Sequence, residues 1–168
     1  AKPATVLAPE LGKGDHLAAS LALTPIVTAK SGLKTPRDLA FNPLRPDELW
    51  IVSFGDDSMV IVTDASTDER TAQRRKDDHA NHFMAKPASL AFGADKTTFG
   101  KIGTFATCGE SRNTYDDQVD HNDFMGPALW SSDLDTFAKI KGPDLLGSHI
   151  DMLHNSPLCM GIAHEKEN

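Results

Sequence analysis

The chain has 168 residues, a formal charge of −7 and 39% hydrophobic residues. That length can bury one real core and the composition is too apolar for disorder, while the acidic balance argues against a nucleic-acid or anionic-membrane surface. No run approaches the roughly 18 apolar residues that a transmembrane helix needs.

Residues 1–32 read as an N-terminal segment with one weak helical turn around Leu17 to Leu23, and helical periodicity is poor everywhere else. At 33 the pattern changes. Thr35-Pro36-Arg37-Asp38-Leu39-Ala40-Phe41 opens a strand, followed by Leu49 to Phe54 and Met59 to Thr63 around the turn Gly55-Asp56-Asp57-Ser58. β-branched and aromatic runs on either side of such a turn signal a hairpin. Arg74-Arg75-Lys76, the one basic cluster, is followed at once by Asp77-Asp78 and reads as a solvated loop. Lys86-Pro87-Ala88-Ser89-Leu90-Ala91-Phe92 then repeats the first start, and Lys101 to Cys108 supplies a second strand behind it. Gly126-Pro127-Ala128-Leu129-Trp130 is a weaker third copy, and Cys159-Met160-Gly161-Ile162-Ala163-His164 a fourth with Cys159 in the proline's place. The starts at 36, 87, 127 and 159 are 51, 40 and 32 residues apart. A period of roughly 40 is that of one four-stranded propeller blade.

The stretches "TPRDLAFNPLRPDELWIVS" and "CMGIAHEKEN" resemble the opening strands of NHL-type β-propeller repeats, a likeness covering about residues 33–168. It implies an all-β partial propeller of about three four-stranded blades plus the first strand of a fourth. The repeats depart from the family pattern at Trp130-Ser131-Ser132, where an apolar pair is usual, and in long polar connections. Blades bury their faces against neighbours, so the remaining blades are expected from a second chain, a second copy or a further segment. A generic β-sandwich is the alternative fold for the same strands, and a complete small β-domain the plainer alternative to a partial propeller. Residues 33–168 form the repeat region. The expected location is extracellular or periplasmic.

The histidines fall where chemistry would be expected. His79 and His82 precede Pro87, His121 precedes Pro127, and His149 and His154 precede Pro157. If each stretch leads into an innermost strand, these residues converge at one mouth of the central channel. His149, Asp151, His154, His121 and His82 are therefore the candidate ligands of a divalent transition metal, zinc or copper. Asp120 and Asp123 are further oxygen donors there. His164 stands where Phe41 and Phe92 stand in the first two copies and is expected to pack in the core. Met152, Met160 and Cys159 could form a softer, copper-favouring site, although methionines more often fill core gaps. The acidic pairs Asp56-Asp57 and Asp116-Asp117 could hold calcium through turn oxygens, but neither has the twelve-residue calcium-loop spacing, so solvated turns are the expectation.

Two functional classes follow. The propeller of the peptidyl-hydroxyglycine amidating lyases is similar in repeat type, and that family holds a histidine-ligated zinc at the channel mouth. The resemblance implies a metal-dependent lyase or hydrolase, for which Arg112 and Tyr115 are the candidate substrate-orienting and proton-transferring residues. No nucleophile elbow, phosphate loop, zinc-protease helix motif or CxxC pair occurs. The preferred reading is accordingly a metal-binding module, with segments 64–86 and 109–126 as recognition surface. Cys108 closes the second copy and Cys159 opens the fourth. A bridge would have to skip the third, so both thiols are expected to be reduced.

Overall fold

The computed structural model describes residues 23–76, 84, 86–93, 103–109, 125–132, 149–154 and 160–165. These residues are all-β, in two antiparallel four-stranded sheets each ordered as in the chain. The first holds β1 (Pro36–Asn42), β2 (Arg45–Ser53), β3 (Ser58–Thr63) and β4 (Thr71–Arg75). The second holds β5 (Pro87–Phe92), β6 (Thr104–Gly109), β7 (Met125–Ser131) and β8 (His149–His154). Among the described residues there is no α-helix, and so none long and apolar enough to cross a membrane.

The two strongest repeat starts, Pro36 and Pro87, open the first strand of each sheet, and β1 lies beside β5. The expected hairpin is β2 and β3, whose register Leu49↔Val62, Ile51↔Val60 puts their apolar residues opposite one another. Two expectations are corrected. Arg74 and Arg75 lie in β4, an almost wholly exposed strand paired to β3, rather than in a loop. Charged side chains suit an edge strand, where they discourage pairing with other chains. The third start, Pro127, lies inside β7, the third strand of the second sheet, so the described strands make two sheets where three were expected. Apolar strand patterning alone does not tell which strand of a sheet it belongs to.

The core lies between the sheets. Trp50, Val52, Met59 and Ile61 from the first meet Leu90, Phe105, Ala128 and Trp130 from the second, with Met84, and Ala40 and Phe92 pack against them. The rings interlock: Trp50 stands edge-on to Phe105 at 4.8 Å and to Phe92 at 5.4 Å, and Phe105 stacks on Trp130 at 6.1 Å. Such offset and edge contacts suit the ring quadrupoles. Trp50 also donates its indole N–H to Glu48 at 2.6 Å, and that buried carboxylate accepts from Asn42 at 2.8 Å and from Arg45 at 3.0 Å as well. Arg45 reaches on to the Ser132 carbonyl at 2.6 Å, which joins the two sheets at the β1–β2 turn. The other face of the first sheet carries Leu49, Ile51, Val60 and Val62, covered by Val27 and Leu33 of the preceding segment.

Candidate functional site

Pairing register decides which chain ends meet. Pro36 is opposite Ser53, Ser53 opposite Ser58, and Met59 opposite Arg75. In the second sheet Pro87 is opposite Gly109, and Met125 opposite His154. The starts of β1 and β5, the β2–β3 turn, the end of β4, both ends of the β6–β7 connection and the end of β8 therefore share one end of the sheets. We call this the leading end.

The leading end is built on strained backbone and shared carboxylates. Thr35 and Lys86, the residues before the two opening prolines, both have φ of 48°. A β-branched residue is costly in the left-handed region, and a residue before proline is pushed away from helical conformations. The surroundings hold the first bend. The carbonyl of Thr35 accepts from Phe54 N–H at 3.2 Å and that of Lys34 from Gly55 N–H at 3.0 Å. The approach is close: a Cβ on Gly55 would stand 2.9 Å from Thr35 Oγ1 and 3.1 Å from the Lys34 carbonyl oxygen, so a larger residue there would force the neighbouring bend to shift. The second bend is held by Asp57, whose carboxylate accepts the Lys86 N–H at 2.8 Å.

Asp56 is the hub of the turn. Its Oδ1 accepts hydroxyls from Ser53 at 2.8 Å and Ser58 at 2.7 Å, and its Oδ2 pairs with Arg74 at 3.1 Å. Burial pushes the carboxyl pKa up, but the Ser58 and Ser53 hydroxyls and the positive charges of Arg74 and Lys34 outweigh it and hold it below the ordinary value. Two cations approach the Phe54 ring, the Arg37 guanidinium at 4.4 Å and the Lys86 ammonium at 5.5 Å from its centre. From β1, Asp38 crosses to the second sheet and accepts the Leu90 N–H at 2.9 Å. The pair Asp56-Asp57 is thus engaged by protein donors instead of standing as a solvated turn. At the opposite end, Arg45, Pro46, Asp47, Glu48, Thr63 and Asp64 line an open depression of about 320 Å³.

The sequence-derived ligands are placed as follows. His149, Asp151 and His154 belong to β8, the last strand of the second sheet, rather than to a loop before a first strand. Extended backbone separates the Cα atoms of His149 and His154 by about 17 Å. His154 is opposite Met125 at the leading end, whereas His149 is opposite Trp130 at the other. His82 and His121 lie outside the described residues, as do Arg112, Tyr115, His16, His79, Asp116, Asp117, Asp120, Asp123 and Cys159. Position 121 falls in the β6–β7 connection, within a sheet instead of between sheets. Among the described residues no group of three or more metal-ligating side chains comes together. His164 is exposed instead of packed in a core, although its ring lies 3.4 Å from where a Gly93 Cβ would stand. Met160 is exposed too.

Cys108 is disulfide-bonded, which corrects the expectation of reduced thiols; the sequence contains one other cysteine, Cys159. With the third start absorbed into β7, no separate sheet lies between β6 and the segment after β8 among the described residues, and the reason for expecting free thiols falls away. Sequence reasoning missed the Phe54, Asp56 and Lys86 cluster, whose one visible signal was the shared residue–proline start at Thr35 and Lys86. The chain matches no family model, no curated protein and no solved structure.

Proposed function

We propose that the chain is a run of NHL-like β-propeller blades that binds a divalent transition metal, zinc or copper, at the leading end, through His82, His121 and His154. Two four-stranded antiparallel sheets in chain order, first strands side by side, are what consecutive blades require. The observation that carries the metal reading is the register of the second sheet. Pro87, Gly109, Met125 and His154 share one end, so the connections holding His82 and His121 both run to the end where β8 delivers His154. Neutral imidazoles from separate segments are common ligands of such metals. His149 belongs to the other end and is outside this set.

The connection with His121 also carries Arg112 and Tyr115. A metal there with an open coordination position would have a cation and a phenol close in sequence to one of its ligands, which is the lyase or hydrolase form of the same reading. A disulfide at Cys108 suits an extracellular or periplasmic protein. Metal content after dialysis against Zn²⁺ or Cu²⁺ tests the proposal. The wild type and His149→Ala should retain one ion per chain, and the triple variant His82→Ala/His121→Ala/His154→Ala should retain none. Full retention by the triple variant, or no uptake by the wild type, would overturn it.

A further inference from the structure

The first sheet has a face that its own repeat says should be covered. Leu39 is opposite Ile51, which is opposite Val60, and Phe41 is opposite Leu49, which is opposite Val62. These six apolar residues lie in two rows across one face. Val27 and Leu33 pack over the outer part, but on β1 Leu39 is 59% and Phe41 51% exposed. A shift of one repeat maps Leu39 onto Leu90 and Phe41 onto Phe92. There Leu90 is only 4% exposed, and Phe92 meets the edge of Trp50. What covers them is the opposite face of the first sheet, whose central row is Ala40, Trp50 and Ile61.

The same shift maps Ala40 onto Ala91, and the row that register builds from it in the second sheet is Ala91, Ala106 and Leu129. All three are only partly buried. Residues 160–165 approach the Gly93 end of β5 through His164, and they are exposed apart from Ile162. The chain therefore carries two halves of a contact it already makes once internally, one at each end of its pair of sheets.

We propose that the Leu39/Phe41 strip is a docking surface for a second copy of this chain, which covers it with its Ala91–Ala106–Leu129 row. The inference rests on reading the sheets as consecutive blades. Copies then join head to tail, with the sheet stacking inside one chain continued between chains, and a head-to-tail contact closes into a ring when its rotation allows.

Sedimentation velocity from micromolar to millimolar concentration tests this. The wild type should rise above its 18.2 kDa monomer mass as concentration increases. Leu39→Glu/Phe41→Glu and, separately, Ala106→Glu should each stay monomeric. Mixed in equal amounts they should form a dimer that grows no further, because each supplies the face the other lacks. A wild type that stays monomeric throughout, as it would if its own residues 160–165 fill the row, overturns the proposal. So does a mixture that stays monomeric, and so does either variant dimerising on its own, as one of them would if two identical patches met. Emission from Trp50 and Trp130 reports sheet stacking separately. Blue, buried emission with no association overturns the docking alone, whereas red-shifted emission in the wild type overturns the blade reading beneath it.

Discussion

Trp50 joins the two sheets through ring contacts and a buried hydrogen bond, and Trp50→Phe tests how much they contribute. The residue is fully buried, contacts Phe92 and Phe105 across the sheet interface, and gives its indole N–H to the buried Glu48 carboxylate. A hydrogen bond to a charged group contributes about 1.5–3 kcal/mol, and weakening an aromatic edge contact adds about 0.5–1.5 kcal/mol. Trp50→Phe should therefore destabilise by about 2–4.5 kcal/mol, a large share of the roughly 5–15 kcal/mol typical of a domain. Urea unfolding followed by circular dichroism and by the fluorescence of Trp130, the one tryptophan left, gives the magnitude. Glu48→Gln, alone and combined with Trp50→Phe, completes a double-mutant cycle. Residues in one hydrogen-bond network couple by about 0.5–3 kcal/mol. A Trp50→Phe loss below about 1 kcal/mol, or a coupling of zero, would refute the account of the interface.

Two further outcomes follow from the leading end and from Cys108. The Asp56 carboxyl is held below its ordinary value, so its contribution is complete above the unfolded carboxylate pKa of about 3.9 and is lost as pH falls through the folded value. The stability gap between wild type and Asp56→Asn should be constant from pH 7 to about pH 5 and close below about pH 4; a gap that widens on acidification would contradict this. Unreduced protein unfolded in denaturant should show no thiol reactive to a colorimetric reagent, and reduction should lower stability by about 2–4 kcal/mol. Two thiols before reduction would refute the bridge.

How far the fold could be read in advance varies with the element. "PRDLAF" and "PASLAF" share an opening proline and the spacing of a leucine and a phenylalanine, and both proved to be first strands. β2 and β3 were legible because their β-branched runs flank a turn of small and acidic residues. β4 was not, because Thr71-Ala72-Gln73-Arg74-Arg75 has no apolar alternation and is held by main-chain pairing at an edge. Pro127 misled because Pro127-Ala128-Leu129-Trp130 has the composition of any half-buried strand. The long stretches on either side of β7 concealed which strand it was. Among the candidate ligands, closeness in sequence suggested grouping His149 with His154, but an extended strand sets them at opposite ends of a sheet. The Phe54 and Asp56 cluster joins positions 34, 37, 53, 56, 74 and 86, and nothing local announces a contact across such separations.

The blade reading and the docking of copies both depend on the step that carries β1 onto β5 and stacks the first sheet on the second. Nuclear Overhauser effects between aromatic rings measure that step directly. Stacked blades predict strong cross-peaks from the Trp50 indole to the rings of both Phe92 and Phe105. A spectrum of folded protein in which Trp50 shows neither would mean that the sheets do not meet as described, and the blade reading would be wrong.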